Sequence, residues 1–398
     1  MRRAISEFEF TLLMALLMSI VAISIDASLP ALGVIGEEFG ITDLNRTQFV
    51  IMSIFAGMAL GEITAGPLSD AIGRKPILYT GIAIFLAGSL FCALAPDFNL
   101  LLIGRFIQGL GVAAPYVTAM SVVRDKYTGR DMARIMSLVM MIFILVPAIA
   151  PSLGLGMMYL AGWRSLFFLY IGYAIVIGGW IAFRLEETLP VEHRIPFTLS
   201  AFVHGFIHVV RNRTTMTYML VMGLIFGSLM GYLGASRQIF QDQFGAGDRF
   251  ALYFGGLALT LGAASLLNSR FVEKLGMRYI CNRSALAMTA ASAVFLLLHL
   301  VTAVTLPMFL AYAAVLFFAF GLMFGNLNAI AMEPMGDVAG MASAITGSVS
   351  SLFGIGLGTI IGQIYNNTLI PIAAGFLVLG GISWLLIALE QRHHARTA

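Results

Sequence analysis

The chain has 398 residues, 59% of them hydrophobic and only 11% charged, with a formal net charge of +3 and a mean hydropathy of +0.92. A soluble domain has roughly 45–50% apolar and about 25% charged residues, so a soluble fold is excluded, and the small net charge gives no support to nucleic-acid binding. Two cysteines, Cys92 and Cys281, cannot build a disulfide framework and have no metal-ligand spacing around them, so neither metal nor cofactor is expected.

A membrane-spanning helix needs about 20 mostly apolar residues. Twelve such stretches can be marked, near 10–33, 48–67, 77–95, 100–122, 135–156, 164–184, 214–237, 251–272, 282–303, 307–330, 340–362 and 369–389. Together they take about 240 residues, which leaves little room for a separate soluble catalytic domain. Near-continuous apolar runs such as 82–95 and 139–150 also exclude a β-barrel, whose strands would alternate in polarity. The first run follows Met-Arg-Arg but is too long for a signal-peptide core and has no convincing cleavage site, so it reads as an uncleaved first span.

The only long polar break, 186–213, separates six spans from six. The expected fold is therefore an all-α integral membrane protein of twelve transmembrane helices in two six-helix bundles. Residues 1–185 form the first bundle, 186–213 a cytoplasmic central loop and 214–398 the second bundle. Within the break, 197–210 is amphipathic enough to lie along the membrane surface.

Charge placement sets the orientation. With the N-terminus in the cytoplasm, eighteen of the 23 Lys and Arg residues fall inside: Arg2, Arg3, Arg74, Lys75, Arg124, Lys126, Arg130, Arg134, Arg184, Arg194, Arg211, Arg213, Arg270, Lys274, Arg278, Arg283, Arg392 and Arg396. Arg46, Arg164 and Arg249 fall outside, and Arg105 and Arg237 within spans. This is a strong positive-inside bias and places both termini in the cytoplasm. The pattern Asp70, Gly73, Lys75 after span two recurs as Glu273, Gly276, Arg278 after span eight. Repeated bundles of this kind are a transporter architecture with a substrate site near mid-membrane.

The candidate residues follow in chain order. Asp26, in Ser24-Ile25-Asp26-Ala27-Ser28-Leu29-Pro30, lies beyond mid-depth of the first span. A charge at the bilayer centre costs at least about 2.5–3.5 kcal/mol, so Asp26 should face the bundle interior, with Ser19 and Pro30 on the same helical face. It is a candidate proton carrier, or one half of a fixed ion pair. Glu62, in the second span, is a second proton or cation site, or else a polar helix end.

The turn Gly66-Pro67-Leu68-Ser69-Asp70-Ala71-Ile72-Gly73-Arg74-Lys75-Pro76 combines a glycine for a tight reversal with a proline suited to a first helical turn. Here the sequence resembles the major facilitator superfamily, whose loop has the pattern G-x-x-x-D-x-x-G-R-[RK]. The resemblance implies a cytoplasmic gating role for Gly66, Asp70, Gly73 and Arg74. Topology and capping alone would also account for them.

In the fourth span, Arg105-Phe106-Ile107-Gln108-Gly109-Leu110-Gly111 puts a cation at a depth comparable with Asp26, so the two are expected to meet. Gly109 and Gly111 let helices approach closely. The pattern R-x-x-Q-G-x-G resembles the superfamily's span-four motif, associated there with proton transfer. The fifth span, with Pro147, Pro151, Gly154 and Gly156, resembles the antiporter motif of drug:proton exchangers. It departs from it in having Ala150-Pro151 for Gly-Pro and Gly154-Leu155-Gly156 for Gly-Gly.

Three stretches, 24–30, 268–271 and 325–344, look like the Bcr/CflA group of bacterial multidrug exporters. Two departures stand out: Glu62 where that group commonly has glutamine, and Arg237 where an apolar residue or proline is expected. Gln108, Tyr116, Tyr232 and Arg237 are candidates for the substrate cavity, Arg237 either binding an anionic group or snorkelling to the outer surface. No P-loop, H-E-x-x-H or G-x-S-x-G pattern occurs, so neither ATP-driven transport nor ordinary hydrolase chemistry is supported.

The expectation is a non-enzymatic, monomeric, multi-pass transporter of the bacterial inner membrane, with a small-molecule substrate, protons and the lipid bilayer as its partners. It exports drug-like compounds in exchange for protons carried by Asp26, tuned by Arg105. The alternatives are a dedicated exporter of one metabolite or siderophore, or a non-transporting membrane receptor on the same fold.

Overall fold

The computed structural model describes the backbone of residues 5–195, 198–336 and 339–397. Arg2, Arg3 and Phe197, and the side chains of Ala339, Gly340 and Arg396, lie outside the described residues. Twelve helical segments among the described residues are long and apolar enough to cross a membrane. Their outward side chains are apolar; Leu160, Val301 and Phe183 are 82%, 80% and 72% exposed. Such a surface matches hydrocarbon rather than water. The protein is an all-α, twelve-span membrane protein.

The chain divides into two compact units, Met1–Ala201 and Phe202–Ala398. Unit one holds α1 (Glu7–Asp26), α2 (Leu32–Glu38), α3 (Phe49–Ile72), α4 (Arg74–Ala93), α5 (Phe98–Lys126), α6 (Gly129–Ala161) and α7 (Ser165–Arg184). Local chemistry explains several of the ends. Ser6 accepts from the Glu9 N–H at 3.2 Å and so caps α1; Asp97 accepts from the Leu100 N–H at 2.9 Å and caps α5. Each takes up one of the free N–H groups that a first helical turn leaves. Gly73 joins α3 to α4 at φ 104°, a region costly to any residue with a Cβ.

α5 runs between α3 and α4, and glycines make both contacts close. A Cβ on Gly109 would sit 2.0 Å from the Ile54 carbonyl oxygen of α3. One on Gly111 would sit 2.3 Å from the Phe85 nitrogen of α4. The close approach expected of these two glycines is therefore present, each on a different neighbour.

Unit two holds α8 (Leu199–Arg211), α9 (Arg213–Arg237), α10 (Phe250–Leu275), α11 (Met277–Val301), α12 (Leu306–Met332), α13 (Ala339–Gln363) and α14 (Ile370–Thr397), with α8 beginning just before its boundary. The short α8 is the amphipathic helix expected in the polar break. Its Val209 packs with Met219, Met335, Ala342 and Ile345, while Val203, Phe206, Ile207 and Val210 are exposed. The core of this unit is aromatic: Phe309 lies 5.6 Å from Phe240, and Tyr312 stacks on Phe295 at 4.1 Å. Such pairs add about 0.5–1.5 kcal/mol each beyond their burial.

The first span is not one continuous helix. α1 ends at Asp26, a turn covers residues 27 and 28, Leu29–Ala31 form a single 3₁₀ turn, and α2 then resumes. Pro30 has no N–H to continue the ladder, and the hydroxyl of Ser28 bonds back to the Ile25 carbonyl at 2.7 Å. The single face expected to join Ser19, Asp26 and Pro30 therefore stops at Asp26.

Candidate functional site

Asp26 closes α1 at the helix break and is 6% exposed. About 28 Å of helix, nineteen residues at 1.5 Å each, separates it from Glu7. Among the described residues no hydrogen bond or ion pair reaches its carboxylate. It is an acid in the membrane with no fixed cation among the described residues.

The expected contact between Asp26 and Arg105 is not formed. Arg105 is fully buried and spends its donors elsewhere. Nε donates to the Val50 carbonyl at 3.0 Å and Nη1 to Gln108 Oε1 at 2.8 Å. Nη2 donates to the Ser24 carbonyl at 3.0 Å and to Ser28 Oγ at 3.3 Å. A planar guanidinium with five donors suits this set of acceptors. Arg105 thus holds Ser24 and Ser28, two positions before and two after Asp26, and fastens the broken helix to α3 and α5. The Tyr170 side chain is within electrostatic reach of both Arg105 and Asp26.

Gln108 is engaged in the same network. Its Oε1 accepts from Arg105 and its Nε2 donates to Ser89 Oγ at 2.8 Å. It is fully buried, so the structure places it as a support for Arg105 rather than on an open cavity wall.

α6 crosses the break at its tightest point. A Cβ on Gly154 would lie 2.0 Å from the carbonyl oxygen of Ala27, whereas one on Gly156 would meet nothing within 4 Å. Pro147 and Pro151 lie inside the same helix. Only glycine at 154 lets α6 rest on the residue next to Asp26. Gly154→Val is expected to separate α6 from the break and reduce transport at least tenfold, while Gly156→Ala stays near wild type. Uptake by purified, reconstituted variants checks this contrast; equal activity of the two would refute it.

A second cluster lies at the α3–α4 turn. Arg74 is 5% exposed and sits between two acids, with Nη1 to Asp70 Oδ1 at 2.5 Å and Nε to Asp125 Oδ2 at 2.8 Å. Ser69 Oγ adds a contact at 3.0 Å. Asp125 also accepts from Thr188 Oγ1 at 2.8 Å. The Glu187 carboxylate caps α4, accepting from the N–H groups of Arg74 and Lys75 at 2.9 and 3.0 Å. A Cβ on Gly73 would meet Glu187 Oε2 at 2.8 Å, a second reason for glycine there. Gly66 lies two turns earlier in α3 and touches only Val117, at 3.7 Å from an added Cβ. The loop residues predicted from sequence are thus joined by Asp125 and Glu187, which sequence reasoning missed. Their signal was faint, an acid between Arg124 and Lys126 and another just past the sixth span.

Burial of Glu187 works against its charge, but four backbone N–H groups hold its carboxyl below the usual carboxylate range. A depressed folded value means its contribution is in full above the ordinary glutamate pKa of about 4.3 and is lost as pH falls through the lower folded value. Glu187→Gln is expected to lower thermal stability at neutral pH and to flatten its acid dependence below about pH 4. Melting curves of both proteins across pH 3–7 check this; parallel curves would contradict it.

The remaining candidates are dispersed. Glu62 and Tyr116 are half-buried and within electrostatic reach of each other. Tyr116 lies 6.3 Å from the Phe143 ring. Glu62 stands ten residues before the end of α3, about 15 Å along its axis. Tyr232 is 2% exposed and packs between Phe317 at 5.2 Å and Phe254 at 6.5 Å, a core position in unit two. Arg237 neither snorkels alone nor stands free. It bonds Gln241 Oε1 at 2.9 Å and pairs with Asp242 at 3.1 Å, both in the π-helical turn that follows α9.

Comparison with known proteins agrees with this architecture. The sequence profile described as Major Facilitator Superfamily matches residues 14–359. The chain is 30% identical to the "Uncharacterized MFS-type transporter YdgK" of Bacillus subtilis, covering 94% of each chain. It is 28% identical to a "Bicyclomycin resistance protein homolog" of Haemophilus influenzae, over 92% of each. To the "Multidrug resistance protein MdtL" of Klebsiella pneumoniae (strain 342) it is 30% identical, over 91% of each. Among solved structures it is similar in fold to the human organic anion transporter MFSD10, with a TM-score of 0.73, 17% identity and 96% and 99% coverage. The xylose transporter XylE from E. coli gives 0.72 and 14%, covering 97% and 99%. With a profile match over most of its length, relatives aligned nearly end to end, and twelve apolar helices, the chain belongs to the major facilitator superfamily and is a membrane transporter rather than an enzyme.

Proposed function

We propose that the protein is a proton-coupled secondary transporter that exports small drug-like compounds across the bacterial inner membrane by alternating access. The observation that carries this reading is Asp26, a buried acid at a break in the first span with no cation partner among the described residues. Intramembrane acids are expensive and mark proton or substrate pathways. Resistance-named relatives support a drug-like substrate. The second reading is a dedicated metabolite exporter; the pairing of Arg237 with Asp242 gives that arginine a partner within the protein and so no free charge for an anionic metabolite.

In this account Asp26 binds and releases the proton, Arg105 and Gly154 position the break that presents it, and the Arg74 cluster controls access at the cytoplasmic end. The protein works as a monomer. The test is efflux from cells lacking their own pumps, across a panel of dyes and antibiotics, with and without a protonophore. Extrusion that persists unchanged after the gradient is collapsed would contradict the proposal.

Topology gives a further check. The positive-inside bias supports a cytoplasmic assignment of both termini and the polar break. Reporter fusions after Arg213 and at the C-terminus are both expected to report cytoplasm; a periplasmic signal at either would break the assignment.

A further inference from the structure

We infer that α8 is a recognition site for anionic phospholipid, its apolar stripe entering the bilayer surface and its basic flank holding the headgroups. The inference goes beyond the exporter reading and does not rest on it.

Position comes first. α8 ends at Arg211 and the membrane span α9 begins at Arg213, so Asn212 alone joins them. Its backbone is extended, at φ −83° and ψ 115°. Its N–H bonds back to the His208 carbonyl at 3.1 Å, and its side-chain oxygen accepts from the Thr215 N–H at 3.0 Å. The end of α8 is thereby held at the membrane face from which α9 starts. The thirteen residues of the helix extend about 20 Å.

Three faces follow from a turn of 3.6 residues. Gly205 and Val209 share the face packed on unit two. Val209 meets Met219, Ala342 and Ile345, and a Cβ on Gly205 would lie 2.5 Å from Met341 Sδ. Val203, Phe206, Ile207 and Val210 stand at i, i+3, i+4 and i+7, a single apolar stripe, and all four are exposed. His204, His208 and Arg211 form the third stripe, also exposed. The apolar stripe lies between the packed face and the basic one, the order that a helix lying in an interface needs.

Charge names the partner. No Asp or Glu occurs between Glu192 and Asp242. Among the described residues Arg211 and Arg213 enter no ion pair. An apolar stripe edged by unopposed bases matches a leaflet with a hydrocarbon interior and an anionic surface. A zwitterionic surface satisfies the stripe alone. A symmetric contact with a second copy would set these bases against one another.

The experiment uses the purified full chain in vesicles of phosphatidylcholine, alone or mixed with phosphatidylglycerol. Cys92 and Cys281 are buried, so a fluorophore on Ile207→Cys reports the stripe. Part of the lipid carries a nitroxide near the top of its acyl chain, which quenches a fluorophore that enters the bilayer. Quenching is expected to be at least twofold stronger with phosphatidylglycerol present, and to weaken in high salt. One arginine near an anionic surface is worth about fivefold in partition, so Arg211→Gln with Arg213→Gln should remove the gain, and the two lysine replacements should keep it. Equal quenching in the two lipids overturns the inference, since the stripe then docks without reading charge. A gain that survives the double glutamine variant overturns it too. So does absence of quenching, and Ile207→Cys chains that cross-link to one another would then assign the face to a second copy.

Discussion

Asp26→Asn is expected to abolish proton-driven export while leaving the protein folded and able to bind substrate. The side chain keeps its size and its place at the helix break, and no ion pair is lost because none among the described residues involves it. What is lost is titration. An amide cannot take up a proton on one side of the membrane and release it on the other. Proton transfer by a positioned group contributes about 10²- to 10⁴-fold to the steps that need it, so gradient-driven flux should drop about 100-fold or more. Exchange of substrate down its own gradient should survive, since it needs no proton. Counterflow measured beside gradient-driven uptake separates the two. Undiminished gradient-driven uptake would remove Asp26 as the essential carrier and move attention to Glu62.

Arg105 carries the second large effect, for a different reason. Arg105→Ala removes the four hydrogen bonds that the guanidinium makes to the Val50 and Ser24 carbonyls, Gln108 Oε1 and Ser28 Oγ. Hydrogen bonds to a charged group contribute about 1.5–3 kcal/mol each, so the variant should lose at least about 3 kcal/mol of stability as well as transport. Arg105→Lys keeps the charge but presents it as a compact point without the planar fork; it should fold and still transport less than a tenth as fast. A role through direct pairing predicts otherwise. Asp26→Asn would then relieve part of the cost of Arg105→Ala, whereas groups that do not touch give additive effects. Thermal stability of the two single variants and the double variant decides between them, and additivity is the expected result.

The fold was readable in the sequence because bilayer thickness fixes span length. Twelve apolar stretches and one polar break were enough to identify it, and the amphipathic α8 emerged where the break predicted it. Rotation about each helix axis was not readable. Asp26 and Arg105 stand at comparable depths, which made contact a fair expectation. Depth along an axis leaves the azimuth open, however, and the guanidinium turned to the carbonyls exposed by the break. That break itself followed from Pro30, which the sequence displayed; treating the span as a continuous helix extended its face too far.

Arg237 shows a related limit. Its partners Gln241 and Asp242 come from a π-helical turn, and periodicity at 3.6 residues does not anticipate one. Asp125 and Glu187 were missed because each comes from the end of a different span. Nothing local to Arg74 marks them, and only the folded bundle brings them to its guanidinium and to the first turn of α4. The glycines were easier. Gly109, Gly111 and Gly154 serve where small residues must serve, at helix crossings without room for a Cβ.

The central claim is that substrate movement is coupled to protons. Its most direct test uses wild-type protein in sealed vesicles, with a pH-sensitive dye inside and substrate added outside under an imposed pH gradient. Substrate is expected to accumulate against its own gradient, the dye to report protons moving the opposite way in step with it, and a protonophore to collapse both. Substrate movement that is indifferent to the gradient, with no proton signal, would contradict it.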